Sequence, residues 1–392
     1  QSGSNTSLME LTITTFKGLE RVLAEELQEL GAQDIVIGTR AVTCYGDKEL
    51  LYRANYELRT ALRVLVPIHH FVANNTDSLY RKVKAFNFSG YFRPEQTFSI
   101  DAVVHSEYFN HSQFVIHKVK DAIVDRMRAD YGVRPSINVS TPDFRLHVRI
   151  TGDRVTLSSD SSGDSLHKRG YRTKTVSAPM SEVLAAGLVR LSAWDKKSIF
   201  IDPMAGSGTI AIEAAMAAAG IPAQYCRKDF TFRKWKNFDN RLLTKIINSA
   251  NERIITDLPP IFASDKSRLA VDNIKINLES LPLQNRVIAS QFDFFNVRQE
   301  NATIIMNPPY DERMKVSDVI RFYEEIGNHL KHKCSGSKAW VFSSNIEAMK
   351  YIGLKPSKKF VLYNGPLECR FYGFDLYSGK RGDYLEHDAK AK

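Results

Sequence analysis

The chain has 392 residues, 43% of them hydrophobic and 25% charged, which is material for two or three packed domains. It carries 54 Lys and Arg against 44 Asp and Glu, a formal net charge of +10 that suits a polyanionic partner. No apolar run approaches the ~20 residues of a membrane span. The four cysteines are too scattered for metal or redox spacing, so a reduced, cytoplasmic setting is expected and a disulfide scaffold is set aside.

After a small, polar start over residues 1–7, Leu11 to Thr14 reads as a short strand. Phe16 to Leu30 is an amphipathic helix, with Gly31 placed to close it. Ile35 to Ile37 and Ala41 to Tyr45 are further strands, Leu50 to Thr60 is helical, and Leu62 to Phe71 is extended. Thr97 to Val104 alternates as a strand does. Ser112 to Tyr131 is a long helix that stops at Gly132. Phe144 to Ile150 and Arg154 to Ser158 form a hairpin across Thr151-Gly152-Asp153. His105, His111 and His117 are six apart, on different helical faces, and do not read as a metal site. Asp143 and Asp164, beside Pro142 and Gly163, read as turn formers. This first part is an α+β module with no Gly-rich strand-to-helix turn.

The second part changes character. Ser198-Ile199-Phe200-Ile201-Asp202 is a short apolar strand. It runs into Pro203-Met204-Ala205-Gly206-Ser207-Gly208-Thr209, and Ile210 to Ala219 is then an Ala-rich helix. The glycines let the backbone turn tightly and approach a ligand. Gly206, Gly208 and Ala211 also fit the loose dinucleotide pattern G-x-G-x-x-A, which wants an acid ~20 residues on at a strand tip. Asp229 has that spacing, but Arg227, Lys228, Arg233 and Lys234 around it do not read as a buried strand. Strand tips follow instead at Asp265, after Ile261 to Ser264, and at Asp293, after Val287 to Phe292. Between them and the Gly-rich turn, Arg227 to Lys236 interleaves basic residues with Phe230, Phe232 and Trp235. Such a stretch could offer phosphate contacts and stacking platforms. It could equally be core aromatics with a solvated basic rim, and packing is favoured for the aromatics themselves. Glu213, one turn into the Ala-rich helix, is expected to be exposed or capping.

The fourth strand is Ile304-Ile305-Met306, which ends at Asn307-Pro308-Pro309-Tyr310. The prolines forbid a ladder hydrogen bond and fix an extended turn. The tip offers an amide oxygen, a stiff carbonyl and an aromatic face. Together these suit a planar base with an exocyclic amine. The amine would donate to Asn307 and to the Pro308 carbonyl, while Tyr310 stacks on the ring. Asp202, Asp265, Asp293 and Asn307 thus close four successive strands, and ligands of open parallel sheets bind at the carboxyl ends of their strands. Taken singly, each aspartate is as readily a helix cap or turn residue.

This series, over residues 175–385, resembles the class I S-adenosylmethionine-dependent methyltransferases that act on exocyclic amines of bases. The resemblance implies a Rossmann-like α/β domain with a mostly parallel seven-stranded sheet. It implies that Asp202, Pro203, Ala205 and the Gly206-Ser207-Gly208 loop border the methionine part of the cofactor. Asp265 would hold the ribose hydroxyls. Asp293 and Phe294 would bind the adenine, Asn307 would border the cofactor as well, and Asn307, Pro308 and Tyr310 would take the target amine. No metal is implied.

The element order of the first part, with the strand Phe144-Arg145-Leu146-His147-Val148, resembles a THUMP domain, an RNA-binding module. Combined, the two parts are similar to the bacterial 23S ribosomal RNA guanine-N2 methyltransferases of the RlmL type. So are the junction Ser165-Leu166-His167-Lys168-Arg169-Gly170-Tyr171-Arg172, the following Ser177-Ala178-Pro179-Met180, and Asn307 to Arg313. The expected division is residues 8–165 for RNA binding, 166–180 as a linker and 181–385 for catalysis. In that family the junction returns to the cofactor site, so Ser177 and Pro179 would line it. The plain alternative is a basic linker that caps the first helix of the second domain. The longest family members carry a second methyltransferase domain where this sequence ends, so one activity is expected, and the polar tail from Asp375 to Lys392 is expected to fray. The implied partner is 23S ribosomal RNA or a large-subunit assembly intermediate. Rival readings are a transfer RNA guanine-N2 enzyme, a DNA adenine-N6 enzyme and a non-catalytic RNA-binding protein.

Overall fold

The structure is a computed structural model that describes residues 7–175, 179–283, 285–309 and 313–378. Two compact units are each assembled from separate stretches of chain. One comprises the residues up to Thr15, Ala24–Leu166 and Lys228–Asn248. The other comprises Phe16–Leu23, His167–Arg227 and the residues from Ser249 onward.

The first unit carries β1 (Met9–Thr14), most of α1 (Glu20–Glu29), β2 (Gln33–Ile37), β3 (Ala41–Gly46), α2 (Lys48–Glu57) and β4 (Arg63–Val72). It continues with α3 (Thr76–Ala85), β5 (Phe98–His105), α4 (Ser112–Tyr131), β6 (Phe144–Thr151) and β7 (Arg154–Asp160). Its seven strands run in the order β2-β3-β1-β4-β7-β6-β5. Only β5 and β6 pair in parallel, because α4 carries the chain back over the sheet between them. Gly132 ends α4 in the left-handed conformation, at φ 69°, and its amide donates to the Arg128 carbonyl at 2.8 Å. The core packs Leu79 and Val83 of α3 and Val115, Val119 and Ile123 of α4 with Phe92, Phe98 and Phe144. The sequence predicts every one of these strands. It does not predict α3, whose apolar positions are few and whose start is set by Asn75 capping the Ser78 amide.

Residues 228–248 lie apart in sequence but belong to this unit. Phe232 is buried and stacks on Tyr52 of α2, with ring centroids 4.5 Å apart. The Tyr52 hydroxyl accepts from the Asp239 amide at 3.0 Å, and Lys48 donates to the Asn237 carbonyl at 2.8 Å. Phe230 and Phe232 are thus core, as favoured from sequence, and Arg233, Lys234 and Lys236 remain exposed.

The second unit carries α5 (Glu182–Leu191), β8 (Ile199–Asp202) and α6 (Thr209–Ala219); α7 (Asn240–Glu252) begins in the first unit and ends in this one. Then come β9 (Ile261–Asp265), α8 (Arg268–Leu278), β10 (Val287–Gln291), β11 (Ala302–Met306), α9 (Val316–Lys333), β12 (Lys338–Ser343), β13 (Lys358–Asn364) and β14 (Leu367–Asp375). The sheet order is β10-β9-β8-β11-β12-β14-β13. The first five are parallel, and β14 runs antiparallel to both β12 and β13. All five residues of β11 are buried, as a central parallel strand covered on both faces must be. The order reverses between β8 and β11, which makes their carboxyl ends the switch point where such sheets hold ligands. Among the described residues, no helix is long and apolar enough to cross a membrane.

Candidate active site

The Gly-rich turn is held in shape by the neighbouring strand. The Ala205 amide donates to the Ser264 carbonyl at 3.0 Å, and the Gly206 amide donates to the Asp265 carboxylate at the same distance. Gly206 and Gly208 sit at φ 55° and 86°, where a side chain is strained. A Cβ on Gly208 would also meet Ile274 at 3.0 Å, so this glycine serves close packing between the turn and α8.

A cavity of about 530 Å³ opens at the carboxyl edge of the second sheet. That falls within the roughly 300–1,000 Å³ of small-molecule sites. Of the residues singled out from sequence, it collects Asp202, Pro203, Ala205, Gly206, Ser207, Asp265, Asp293, Phe294, Asn307 and Pro308. Pro179 from the junction is also on its wall. Gly208 is not. Tyr310, Ser177 and residues 379–392 of the tail lie outside the described residues.

The aspartates keep their ordinary turn roles while facing this space. Asp265 accepts from the Ser267 amide at 2.9 Å, and Asp293 from the Phe295 amide at 2.9 Å. A turn role and a place on the cavity wall therefore coexist on the same side chains. Asp202 differs, because it is 1% exposed. Burial, helped by the nearby Asp265 charge, pushes its carboxyl up to about 8 against the opposing Met204 amide. Phe294 is buried edge-on against His329, with centroids 4.8 Å apart, while Phe295 is 36% exposed beside it.

Glu213 corrects the expectation of an exposed or capping residue. It is fully buried, because residues 209–216 of α6, more than two turns, are buried all round. Its Oε1 accepts from the Arg169 Nε and the Tyr171 hydroxyl, each at 3.0 Å, and both partners are buried too. A buried carboxylate needs such a cation. The sequence signal was available: a lone acid in an Ala- and Ile-rich helix, with Arg169-Gly170-Tyr171-Arg172 upstream.

Arg172 does part of what each reading of the junction expects. It pairs with Glu182 at the start of α5 at 3.1 Å, and it donates to the Met180 carbonyl at 2.6 Å and to Thr209 at 3.2 Å. Met180 and Thr209 are both on the cavity wall. Asn277 of α8 accepts from the Thr173 and Lys174 amides and donates to the Ser207 carbonyl. The junction is thereby stitched to the Gly-rich turn.

One side of the cavity had no sequence motif. Phe342, Ser343 and Ser344 at the end of β12, and Asn364, Leu367 and Cys369 of the β13–β14 hairpin, form it. The only available signal was Asn364-Gly365-Pro366 between two alternating runs, which marks a hairpin turn but not a site.

Three family matches agree with this architecture. An RlmL ferredoxin-like domain matches residues 10–65 and a THUMP domain residues 73–160. An RMKL-like methyltransferase domain matches residues 169–372, more than half of the chain. The chain belongs to the RMKL-like methyltransferase family. Within it, the chain is similar to slr0064 of Synechocystis, named as a candidate RNA methyltransferase. Identity is 35% over 93% of this chain and 96% of that one. It is also 35% identical to ribosomal RNA large subunit methyltransferase K/L of Syntrophotalea carbinolica, over 93% of this chain and 53% of the relative. The chain thus spans about half the length of the K/L relatives. Among solved structures, SMU.472, a candidate methyltransferase complexed with SAH, superposes with a TM-score of 0.83 at 26% identity. That match covers 95% of this chain and 99% of the other.

Proposed function

We propose that this protein transfers a methyl group from S-adenosylmethionine to the exocyclic N2 of a guanine in 23S ribosomal RNA. The observation that carries the reading is the meeting of two groups of residues on one cavity. Asn307 and Pro308 end the central buried strand, and Asp202, Asp265, Asp293 and the Gly-rich turn line the same space. The K/L relatives' names and the THUMP match support ribosomal RNA as the substrate class, and the SAH complex of SMU.472 supports the cofactor. The functional division is residues 8–165 for RNA binding, 166–180 as a linker and 181–385 for catalysis.

In this reading S-adenosylmethionine supplies an activated methyl group on a cationic sulfur. Asp265 accepts from the ribose hydroxyls, Asp293 and Phe294 hold the adenine, and Asp202, Pro203, Ala205 and the Gly206–Gly208 turn border the methionine end. The Asn307 amide oxygen and the Pro308 carbonyl accept the two N–H bonds of the base amine, and Tyr310 stacks on the base. That amine is a poor nucleophile because its lone pair is delocalised into the ring. Two acceptors favour a tetrahedral nitrogen and aim its lone pair. Such positioning is worth up to ~7–11 kcal/mol. No strong base is needed, because the nitrogen becomes cationic on methylation and sheds its proton readily. The base must leave its stack to reach the strand tip.

The test is methyl transfer from labelled S-adenosylmethionine to large-subunit ribosomal RNA, transfer RNA and duplex DNA in parallel, with nucleoside analysis. N2-methylguanosine in ribosomal RNA alone is the expected result. N6-methyladenine in DNA would replace the substrate assignment. No transfer to any of the three would leave an RNA-binding protein.

A further inference from the structure

We infer that the β13–β14 hairpin carries the group that selects the target base, and that this group is the side-chain amide of Asn364. The inference rests on the reading above and adds to it a specificity residue on the unmotifed side of the cavity.

The register fixes where the hairpin lies. Ser343, the last residue of β12, is opposite Arg370 of β14. Leu367, Glu368 and Cys369 therefore run past the end of β12, an overhang of about 10 Å at ~3.4 Å per residue. Residues directly opposite in an antiparallel pair share a face. Leu362 opposite Cys369 and Asn364 opposite Leu367 thus form one face, and Asn364, Leu367 and Cys369 all line the cavity. Gly365, at φ 61° and followed by Pro366, makes the two-residue turn that holds this tip.

On that face Asn364 is the polar member among Leu362, Leu367 and Cys369. Its amide has no hydrogen-bond partner among the described residues. An amide offers one acceptor and two donors. If the guanine 2-amine sits at Asn307, the next groups along its Watson–Crick edge are N1–H, a donor, and O6, an acceptor. One amide satisfies both. Adenine with its 6-amine at Asn307 presents an N1 acceptor in place of the N1–H. The strand tip of Asn307 accepts any exocyclic amine, so discrimination between bases must come from another wall. The walls on the β8–β10 side are taken up by the cofactor residues.

The test uses the full chain. The methylated guanine in a 23S transcript is mapped by digestion and mass spectrometry. A short hairpin RNA spanning it is then synthesised with guanine, 2-aminopurine or 2,6-diaminopurine at that position. All three keep the 2-amine, and only guanine has N1–H and O6. Wild type is expected to prefer guanine by about ten- to a hundredfold in kcat/KM. Asn364→Ala should shrink that preference to within about threefold, with S-adenosylhomocysteine affinity, measured by calorimetry, unchanged. A preference that survives the substitution, or a wild-type enzyme with none, overturns the assignment of Asn364 and leaves the functional reading standing. Loss of S-adenosylhomocysteine affinity in the variant also overturns it, because Asn364 would then be holding the site together. A wild-type product other than N2-methylguanosine removes the functional reading, and this inference with it.

Discussion

Both units are built on seven-stranded sheets, yet among the described residues only the second gathers the candidate site at its strand ends. In the catalytic unit five parallel strands bring every carboxyl end to one edge, so short polar residues at four tips converge on one cavity. In the N-terminal unit all pairs but one are antiparallel, so strand tips alternate between edges and no such convergence arises. Parallel order concentrates chemistry at an edge, whereas antiparallel order distributes it over faces. The cores differ as well. The first unit closes over residues 228–248 with stacked aromatics, while the second buries an ion pair beneath its Gly-rich turn.

Substitutions can break this contrast. Glu213→Ala takes from the buried Arg169 the carboxylate it pairs with and should cost about 3–5 kcal/mol in denaturant unfolding. Phe232→Ala should cost a similar ~3–5 kcal/mol by opening a cavity against Tyr52. If hydrogen exchange shows the first loss confined to the catalytic unit and the second to the N-terminal unit, the two cores are energetically separate. A uniform loss of protection in either variant would say they are not.

The catalytic edge can be sharpened further. Asn307→Ala is expected to lower methyl transfer by at least about a hundredfold, the effect of losing one positioned polar group. Its S-adenosylhomocysteine affinity should hold, and near-normal turnover would refute the amine-site assignment. Asp293→Ala should reverse the pattern, weakening the cofactor by about 1.5–3 kcal/mol through loss of a charged hydrogen bond. The smallest effect, counted per pH unit, concerns Asp202. Its carboxyl titrates near 8 in the folded chain against an ordinary value near 3.8. The folded state then holds a proton that the unfolded state has released. This contribution is full below about pH 4 and fades as pH rises through 8, by on the order of 1 kcal/mol per unit. Asp202→Asn should flatten that slope between pH 5 and 8. An unchanged slope would mean that Asp202 is ionised throughout.

The four strand tips of the catalytic edge were legible because each pairs a short apolar run with an abrupt polar or proline stop. Asn307 could be found from six neighbouring residues. Glu213 is only half legible: its lone place in an apolar helix is a local signal, but its burial rests on the packing around residues 209–216 and on an arginine 44 positions away. The same limit hid Asn364. A hairpin signal gives a turn, but the register that swings the turn over the cavity is set by pairing between β12 and β14. Helix α3 was missed for a local reason: its start depends on one asparagine cap and its apolar positions are sparse. The place of Phe232 illustrates the remaining gap. Its aromatic run was visible, whereas its stacking on Tyr52, 180 residues earlier, is a long-range choice no local pattern encodes.

That long-range contact sets a clock. The N-terminal unit draws on residues up to Asn248, so its last pieces are made about eighty residues after Leu166. At about 5–20 residues per second, the completed sheet waits roughly 4–16 s on the ribosome with the Tyr52 face uncovered. A fragment cut at residue 166 would never finish waiting.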